Sequence, residues 1–217
     1  MNSYRTDRSK QRLYELTSFE KAMLRQIFKT VLESGKAPSV TVLHKTLKTY
    51  RLRIVRTLGK LEQKRRLVRK KETGEIVYVY PVSLLPTENP IILEGEKRLF
   101  ANCPLDALSV PHMFNRNAEI ISQCHRCKQE ITITIKNGDI VSTSHSHIYV
   151  WSPKRIEMPA AAEYSPFMNF FCSEEHIDAW SRENPQLAEK GQSKSLEQEH
   201  PRIKDYGTRY GKMVGTR

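Results

Sequence analysis

The stretch "RLFANCPLDALSVPHMF", residues 98–114, decides how this chain is organised, because a strand pattern changes into a helix pattern within it. Pro104 suits the first turn of an apolar helix, which places Cys103 at or near the N-cap. Asp106 follows about one turn later on the same face. The positive end of a helix dipole stabilises an anion, so we expect a Cys103 thiolate with Asp106 close enough to carry its proton. The alternative is a buried cysteine beside a capping carboxylate.

The composition limits the classes of protein to consider. The chain has 217 residues, of which 38% are hydrophobic, so it can bury the core of one large domain or two small ones. It has no apolar run of the roughly 20 residues that a transmembrane helix needs, and "MNSYRTDRSKQRLYEL" has no apolar signal-peptide core. Four cysteines indicate thiol or metal chemistry in a reducing compartment rather than a disulfide scaffold. We therefore expect a cytoplasmic protein with no membrane partner.

The positive charge is concentrated near the N-terminus. The net charge is +12, but residues 1–72 carry +14 and residues 73–217 carry −2. This asymmetry and the prolines of residues 81–90 predict two units that meet near residue 87. In chain order we expect a basic arm (1–17), a winged-helix-like domain (18–86), a cysteine-containing domain (87–185) and a polar tail (186–217) that forms a short helix or loop with a loose end.

Three helices and a hairpin are predicted in the first of these units. "SFEKAMLRQIFKTVLESG" has helical apolar spacing, with Ser18 as N-cap and Gly35 past the end. "PSVTVLHKTL" and "RIVRTLGKLEQKRRL" predict two further helices, the last with Val55 and Leu67 facing inward. The alternation around "ETGE" predicts a β-hairpin that turns at Thr73–Gly74. Three helices followed by a hairpin are typical of a winged helix-turn-helix.

A winged helix with this charge suggests a DNA-binding surface. Four basic residues lie on or near the second helix of the motif: Arg51, Arg53, Arg56 and Lys60. Such residues contact phosphates and give binding a steep salt dependence. The alternative is a solvated basic face on a module that serves only for packing, because a fold alone does not fix a function.

Two segments of the second unit could form a metal site. "AEIISQCHRCKQEITITI", residues 118–135, predicts a strand, a Cys-x-x-Cys turn and a strand, while "FMNFFCSEEHIDAW", residues 167–180, predicts a strand that enters a helix. The four side chains that these segments offer are Cys124, Cys127, Cys172 and His176. They form a Cys₃His zinc set in the order of a treble-clef element, and structural zinc is the cofactor that the residues themselves suggest.

Between residues 20 and 182 the chain resembles the alkylmercury (organomercurial) lyases, the MerB family. The resemblance is carried by "GEIVYVYPVSLLPT", "EGEKRLFANCPLDALSVPHMF" and the two cysteine segments above. It implies that Cys103 and Cys172 bind mercury and that Asp106 is the catalytic proton carrier. It also implies that Cys124 is mainly structural and that the winged-helix-like domain covers the catalytic domain.

The resemblance implies a specific reaction. Two thiolates on R–Hg⁺ would push electron density onto the carbon, and Asp106 would deliver a thiol proton to that carbon as the bond breaks. The products are a hydrocarbon and Hg²⁺. No cofactor is required; free cellular thiols would remove the ion, and a mercuric reductase is its expected acceptor. Four side chains could line an apolar pocket for the organic group, with ordinary core packing as the alternative for each: Phe100, Met113, Phe170 and Phe171.

Cys127 departs from the family pattern, in which the structural cysteine typically continues into a Thr-Gly turn. If zinc occupies all four ligands, Cys172 is not free for mercury; if the two sites are separate, both functions can hold. The alternative to the lyase is therefore a zinc-stabilised winged-helix DNA-binding regulator. For either function we predict an α+β fold, with a winged-helix-like three-helix domain before a mixed or antiparallel β domain with short helices and a treble-clef-like hairpin–helix element.

Overall fold

The structure is a computed structural model that describes residues 15–95, 98–154 and 165–217. Most of the predicted basic arm, residues 1–14, lies outside these described residues. No helix in the described ranges is long and apolar enough to cross a membrane.

The N-terminal part contains the three predicted helices: α1 (Ser18–Ser34), α2 (Val40–Thr46) and α3 (Arg51–Gln63). The N-cap of α1 is Thr17 rather than Ser18, because the Thr17 hydroxyl accepts the Glu20 N–H and the Glu20 carboxylate accepts the Thr17 N–H. Gly35 ends α1 in the left-handed conformation, as predicted. On α3, Val55 is exposed rather than inward, whereas Leu67 is buried on the strand that follows.

An eight-stranded antiparallel sheet forms the centre of the molecule, in the order β1-β2-β3-β5-β4-β6-β7-β8. Its strands are β1 (Leu67–Arg69), β2 (Ile76–Val79), β3 (Val82–Ser83), β4 (Asn89–Leu93), β5 (Arg98–Ala101), β6 (Ala118–Gln123), β7 (Glu130–Lys136) and β8 (Asp139–Thr143). The predicted hairpin around "ETGE" is the β1–β2 pair. Because β3 pairs with β5, one sheet continues across the boundary predicted near residue 87. The division into domains stays a prediction.

The remaining elements pack beside this sheet. They are α4 (Pro104–Phe114), β9 (Tyr149–Pro153), a 3₁₀ turn (Ser165–Phe167), β10 (Phe170–Phe171), α5 (Glu174–Glu183), α6 (Pro185–Lys190), β11 (Gly191–Ser195) and α7 (Leu196–Val214). Strand β9 lies between β10 and β11 in a second antiparallel sheet. The coarse prediction of an α+β fold with a large antiparallel sheet is confirmed.

The C-terminal segment differs most from the prediction. It forms the 19-residue helix α7 instead of a short helix or loop, and it packs along α4. The physical reason is a closely fitted helix pair: a Cβ atom on Gly207 would lie 2.5 Å from the Ser109 carbonyl oxygen, and one on Gly211 would clash with the Met113 carbonyl. Two glycines one turn apart therefore let the two backbones touch. This contact fixes the position of α4, which carries Cys103 at its start.

Candidate active site and metal cluster

Cys103 occupies the predicted place at the start of α4. It is the N-cap residue, and its Sγ accepts the backbone N–H of Asp106 at 3.4 Å. The thiol is buried, with 1% of its surface exposed, and its Sγ lies 3.7 Å from Met168 Sδ. The hydroxyl of Ser165 also hydrogen-bonds to the sulfur. Both contacts come from the segment just before β10, which sequence reasoning did not connect with Cys103.

Burial changes the predicted acidity of this thiol. Removal from water, and then the nearby Asp106 carboxylate, raise the pKa of Cys103 well above its ordinary value. Hydrogen bonds from the Asp106 N–H and from Ser165 act in the opposite direction but do not outweigh burial. The expected resting thiolate is therefore wrong: a helix start stabilises an anion only modestly when the sulfur is fully desolvated.

Asp106 is a buried carboxyl that holds a proton near neutral pH. Burial raises its pKa from 3.8 to about 7, and a hydrogen bond with the Cys103 side chain pulls that value back only in part. Within the described residues, Asp106 Oδ2 has no hydrogen-bond partner. A carboxyl oxygen in this position avoids the cost of a buried, unsolvated charge by remaining protonated for much of the time. Cys103 and Asp106 thus form a thiol–acid pair at one helix start.

A cavity of about 240 Å³ opens beside this pair. Asp106, Met168 and Ser165 line it, and the last two also contact Cys103. The other lining residues are Tyr80, Leu105, Ser109, Arg202, Ile203, Tyr206 and Arg209. Of the two interpretations of the four candidate lining residues, core packing holds for Met113, Phe170 and Phe171, and Phe100 is not among the residues that line this cavity.

Helix α7 supplies the residues that the sequence analysis missed. Ile203 and Tyr206 face the cavity from α7, and Tyr206 hydrogen-bonds to Tyr80 across it. Burial, followed by the charge of Tyr206 and of Asp106, raises the pKa of Tyr80 well above its ordinary value, so this phenol remains neutral. A signal for α7 was present in the sequence, because Ser195 and Gln198 have the spacing of a capping box and form one.

A second cluster lies where the β6–β7 turn meets the start of α5. Its ligand atoms, all within 4.8 Å of one another, belong to Cys124, Cys127, Cys172 and His176. The Cys127 and Cys172 sulfurs are 3.5 Å apart, and His176 Nδ1 lies 3.2 Å from Cys172 Sγ and 3.5 Å from Cys124 Sγ. The structure therefore brings together the four side chains of the predicted set. Cys103 is not part of this group.

The backbone around the cluster holds the ligands in place. Cys124 is buried at the end of β6 and forms a bridge with Phe170, so β10 is fixed beside the Cys-x-x-Cys turn. Ser173 caps α5 by accepting the N–H of His176 at 3.4 Å, which sets the first turn of that helix. Arg126 and Glu183 form an ion pair at 2.8 Å between the turn and α5.

The thiols of the cluster differ in pKa. Burial raises the pKa of Cys124, but backbone N–H groups of Cys127, Cys172 and Arg126 that bond to its sulfur outweigh burial and bring the pKa to about 6. Burial and then the neighbouring thiols raise the pKa of Cys172. The backbone N–H groups therefore favour the thiolate form of Cys124 over that of Cys172.

The four basic residues of the predicted DNA surface, Arg51, Arg53, Arg56 and Lys60, are all exposed on α3. The Arg53 guanidinium lies over the ring of Phe19, 3.9 Å from its centroid. Tyr50 and Leu52 beside them are 84% and 58% exposed. The surface is accessible, but it lies on a different element from the thiol–acid pair.

Comparison with known proteins identifies the family. Residues 82–203 match the family model "MerB: Alkylmercury lyase", which is more than half of the chain. Curated alkylmercury lyases from Bacillus cereus and Clostridium butyricum are each 29% identical over 106 residues, which is 49% of this chain and 45% of theirs. The match thus spans about half the length of these relatives.

A solved structure extends the similarity to nearly the whole chain. The mercury-bound form of MerB2 superposes with a TM-score of 0.80 and 26% identity, covering 94% of this chain and 96% of that one. These matches do not favour the alternative of a zinc-stabilised DNA-binding regulator. The thiol–acid pair, the surrounding fold and the family match agree with one another, and the chain belongs to the alkylmercury lyase family.

Proposed function

We propose that this protein is an organomercurial lyase, which breaks the carbon–mercury bond of R–Hg⁺ compounds by protonolysis. The observation that carries the proposal is the Cys103 thiol beside a buried Asp106 carboxyl whose pKa is about 7, at the wall of a cavity. Membership of the alkylmercury lyase family supports it. The similarity to a mercury-bound MerB2 structure supports mercury as the soft metal of the substrate.

Cys103 would begin the reaction by binding mercury. Its raised pKa keeps the thiol protonated at rest, so the proton must leave as the sulfur–mercury bond forms. Asp106 is the neighbouring group that can take this proton, because about half of its carboxyl groups are ionised at pH 7. The carboxyl then holds the proton beside the carbon that will receive it.

The second step transfers this proton to the departing carbon. For a substrate R–Hg–SR′, two protein thiols replace both groups on mercury: the overall change is R–Hg–SR′ plus two Cys–SH giving R–H, Cys–S–Hg–S–Cys and R′SH. One thiol proton ends on carbon through Asp106, and the other on the displaced thiolate. The two new sulfur–mercury bonds compensate for the loss of the carbon–mercury bond, because mercury is soft and prefers thiolates.

We propose Cys172 as the second mercury thiol, following the family resemblance. In the resting protein it lies in the Cys–His cluster, and its Sγ contacts Cys127 and His176 rather than Cys103. Cys172 lies four positions after Met168, whose sulfur contacts Cys103, so the segment that carries Cys172 also touches Cys103. Movement of Cys172 from the cluster toward Cys103 is therefore part of the proposed cycle.

The organic group would occupy the cavity beside Asp106. Leu105, Met168 and Ile203 give it apolar contacts, and the neutral Tyr80 and Tyr206 close one side. A cavity of about 240 Å³ suits a small alkyl or aryl group. Arg202, which is paired with the buried Glu199, limits the cavity at its charged side.

The finer parts of the prediction remain proposals. We propose that α1–α3 with the β1–β2 hairpin form a winged-helix-like unit, and that the β6–β7 turn with α5 forms a treble-clef-like element. Cellular thiols would remove Hg²⁺, and a mercuric reductase would accept it. A reducing cytoplasm suits four free cysteines. Contact between α3 and DNA is tested by binding to random-sequence duplex at low and moderate salt.

The test of the proposed function is release of benzene from phenylmercuric acetate in excess thiol. We expect Cys103→Ser and Asp106→Asn each to lower turnover by at least about a hundredfold, the size of a general acid–base contribution. The matched control is Asp205→Asn, an exposed carboxylate on α7 that pairs with Arg209. Turnover that survives Cys103→Ser would refute the assignment of this thiol.

A further inference from the structure

We infer that Cys124, Cys127, Cys172 and His176 bind one zinc ion in a tetrahedral Cys₃His site. None of the proteins compared above is described as a zinc protein. The inference rests on these four side chains and not on Cys103 or Asp106, but it shares Cys172 with the proposed function. Zinc would hold Cys172 in the resting protein, and the softer mercury would have to displace zinc from this thiolate during turnover.

Three distances between ligand atoms of the cluster are close to those of a zinc tetrahedron. Zinc–sulfur bonds of about 2.3 Å and zinc–nitrogen bonds of about 2.0 Å place neighbouring sulfurs about 3.8 Å apart and sulfur and nitrogen about 3.5 Å apart. Here Cys127 and Cys172 Sγ are 3.5 Å apart, and His176 Nδ1 lies 3.5 Å from Cys124 Sγ and 3.2 Å from Cys172 Sγ. These three distances differ from the ideal values by at most a few tenths of an ångström, and every pair of the four ligand atoms lies within 4.8 Å.

The sulfurs are not arranged as a disulfide. A disulfide needs an S–S distance of about 2.05 Å, and all four cysteines are free. A pair of thiols would also not require the imidazole nitrogen to meet both Cys124 and Cys172. One imidazole nitrogen and three sulfurs form a ligand set that is typical of structural zinc sites.

The surroundings support thiolates and fix the ligands. Backbone N–H groups of Arg126, Cys127 and Cys172 bond to the Cys124 sulfur, as outer contacts of a coordinated thiolate do. The turn is closed by the Cys124 N–H, which donates to the Gln129 carbonyl at 2.8 Å, and by the Lys128 N–H, which donates to the Cys124 carbonyl at 3.0 Å. The site therefore stands on a formed hairpin and the first turn of a helix.

Zinc here would join two parts of the chain that are far apart in sequence. Cys124 and Cys127 lie between β6 and β7 of the large sheet, and Cys172 and His176 lie at the start of α5. Ser165 and Met168, which contact Cys103, lie just before β10. One ion would thus hold α5 and β10 against the sheet and, through them, position the wall of the cavity.

Cobalt(II) replacement is the direct test, because cobalt reports its own coordination by absorption. The full-length protein is reduced, stripped of metal with a chelator, and titrated with cobalt(II) and then zinc(II), while the metal content of freshly purified protein is measured by mass spectrometry. We expect one cobalt per chain with the intense visible bands of tetrahedral coordination and thiolate charge-transfer bands, and stoichiometric displacement by zinc.

Matched variants locate the ion. Cys127→Ser and His176→Gln are expected to weaken zinc binding by at least about a hundredfold. Cys103→Ser and His125→Gln change the same residue types outside the ligand set and should leave binding unchanged. Cys103→Ser should lose benzene release and keep a normal cobalt spectrum. The two readouts therefore distinguish a failure of the zinc inference from a failure of the proposed lyase function.

Three results of the titrations would overturn the inference: no metal bound by reduced wild-type protein, an octahedral cobalt spectrum, or equal zinc affinity in Cys127→Ser and wild type. Iron in place of zinc in the purified protein would overturn it as well. If a variant does not fold, the wild-type protein alone tests the inference: zinc is removed and then returned, and circular dichroism measures whether the structure is lost and recovered.

Discussion

Asp106→Asn should reduce the loss of folding stability that the protein suffers as the pH rises, while lowering its proposed activity by at least about a hundredfold. Burial raises the pKa of Asp106 from 3.8 to about 7, so ionising it in the folded state costs about 4 kcal/mol more than in the unfolded chain. Between these two pKa values the unfolded chain holds fewer protons than the folded one, so the free energy of unfolding falls as the pH rises. The stabilising contribution of the protonated carboxyl is complete below pH 3.8 and is lost by about pH 7 to 8.

The size of this pH effect on the free energy of unfolding follows from the two pKa values of Asp106. From pH 5 to pH 8, ionisation of Asp106 should lower the free energy of unfolding of the wild-type protein by about 2 to 3 kcal/mol, and Asp106→Asn should lack this part of the slope. The comparison uses the difference between pH values, because a buried amide without partners costs about 1 to 3 kcal/mol of its own at every pH. Other titrating groups are common to both proteins and cancel.

Urea denaturation in reducing buffer at pH 5, 6, 7 and 8 measures this difference. The control is Asp205→Asn, since Asp205 has 61% of its side chain exposed, and its slope should equal that of the wild type. If wild type and Asp106→Asn show the same pH slope to within about 0.5 kcal/mol, the Asp106 pKa is not raised by burial and the reasoning about proton storage is wrong.

Three further predictions follow from other parts of the structure. Gly207→Ala should lower the free energy of unfolding by about 1 to 3 kcal/mol, because the new Cβ would meet the Ser109 carbonyl oxygen at 2.5 Å. Gly59→Ala on α3 is the control: nothing lies within 4 Å of its new Cβ, so it should raise the free energy of unfolding by up to about 1 kcal/mol. Urea denaturation measures both variants, and a stabilising Gly207→Ala would contradict the close contact between α4 and α7. The kcat/KM for phenylmercuric acetate should fall about tenfold per pH unit well below pH 7, where Asp106 is protonated and cannot take the Cys103 proton; a profile that stays flat down to pH 5 would argue against this role. Removal of zinc by a chelator should lower the Tm of the wild-type protein by several degrees and leave the Tm of Cys127→Ser unchanged. Differential scanning fluorimetry measures both, and equal shifts in the two proteins would place the ion elsewhere.

Local patterns predicted the elements that depend on local signals. Gly35 ended α1 and the "ETGE" turn joined β1 to β2, because helix caps and tight turns need particular residues. The spacing of Cys103 and Asp106, and that of the four Cys–His ligands, placed each set on the right elements. These successes come from short-range geometry that tertiary packing did not alter.

Other features depended on burial, which the sequence pattern did not give. Cys103 was expected as a thiolate because of the helix dipole, but complete desolvation dominates its acidity. For Phe170 and Phe171 the sequence left pocket lining and core packing open; both fill the core, and Tyr80, Met168 and Tyr206 line the cavity. The long helix α7 was not predicted, because its apolar residues are sparse. Its packing on α4 depends on glycines, which allow close backbone contact but add nothing to an apolar pattern.

The close fit of α7 on α4 has a consequence for biosynthesis. Residues 196–214 leave the ribosome about a hundred residues after Cys103, a delay on the order of 5 to 20 seconds at ordinary translation rates. Throughout that interval the nascent chain has its reactive sulfur and the bare face of α4 but no finished cavity around them. Under the proposed function, the thiol that binds soft metal compounds is thus exposed to them while the protein is being made, and the folding of α7 ends this exposure.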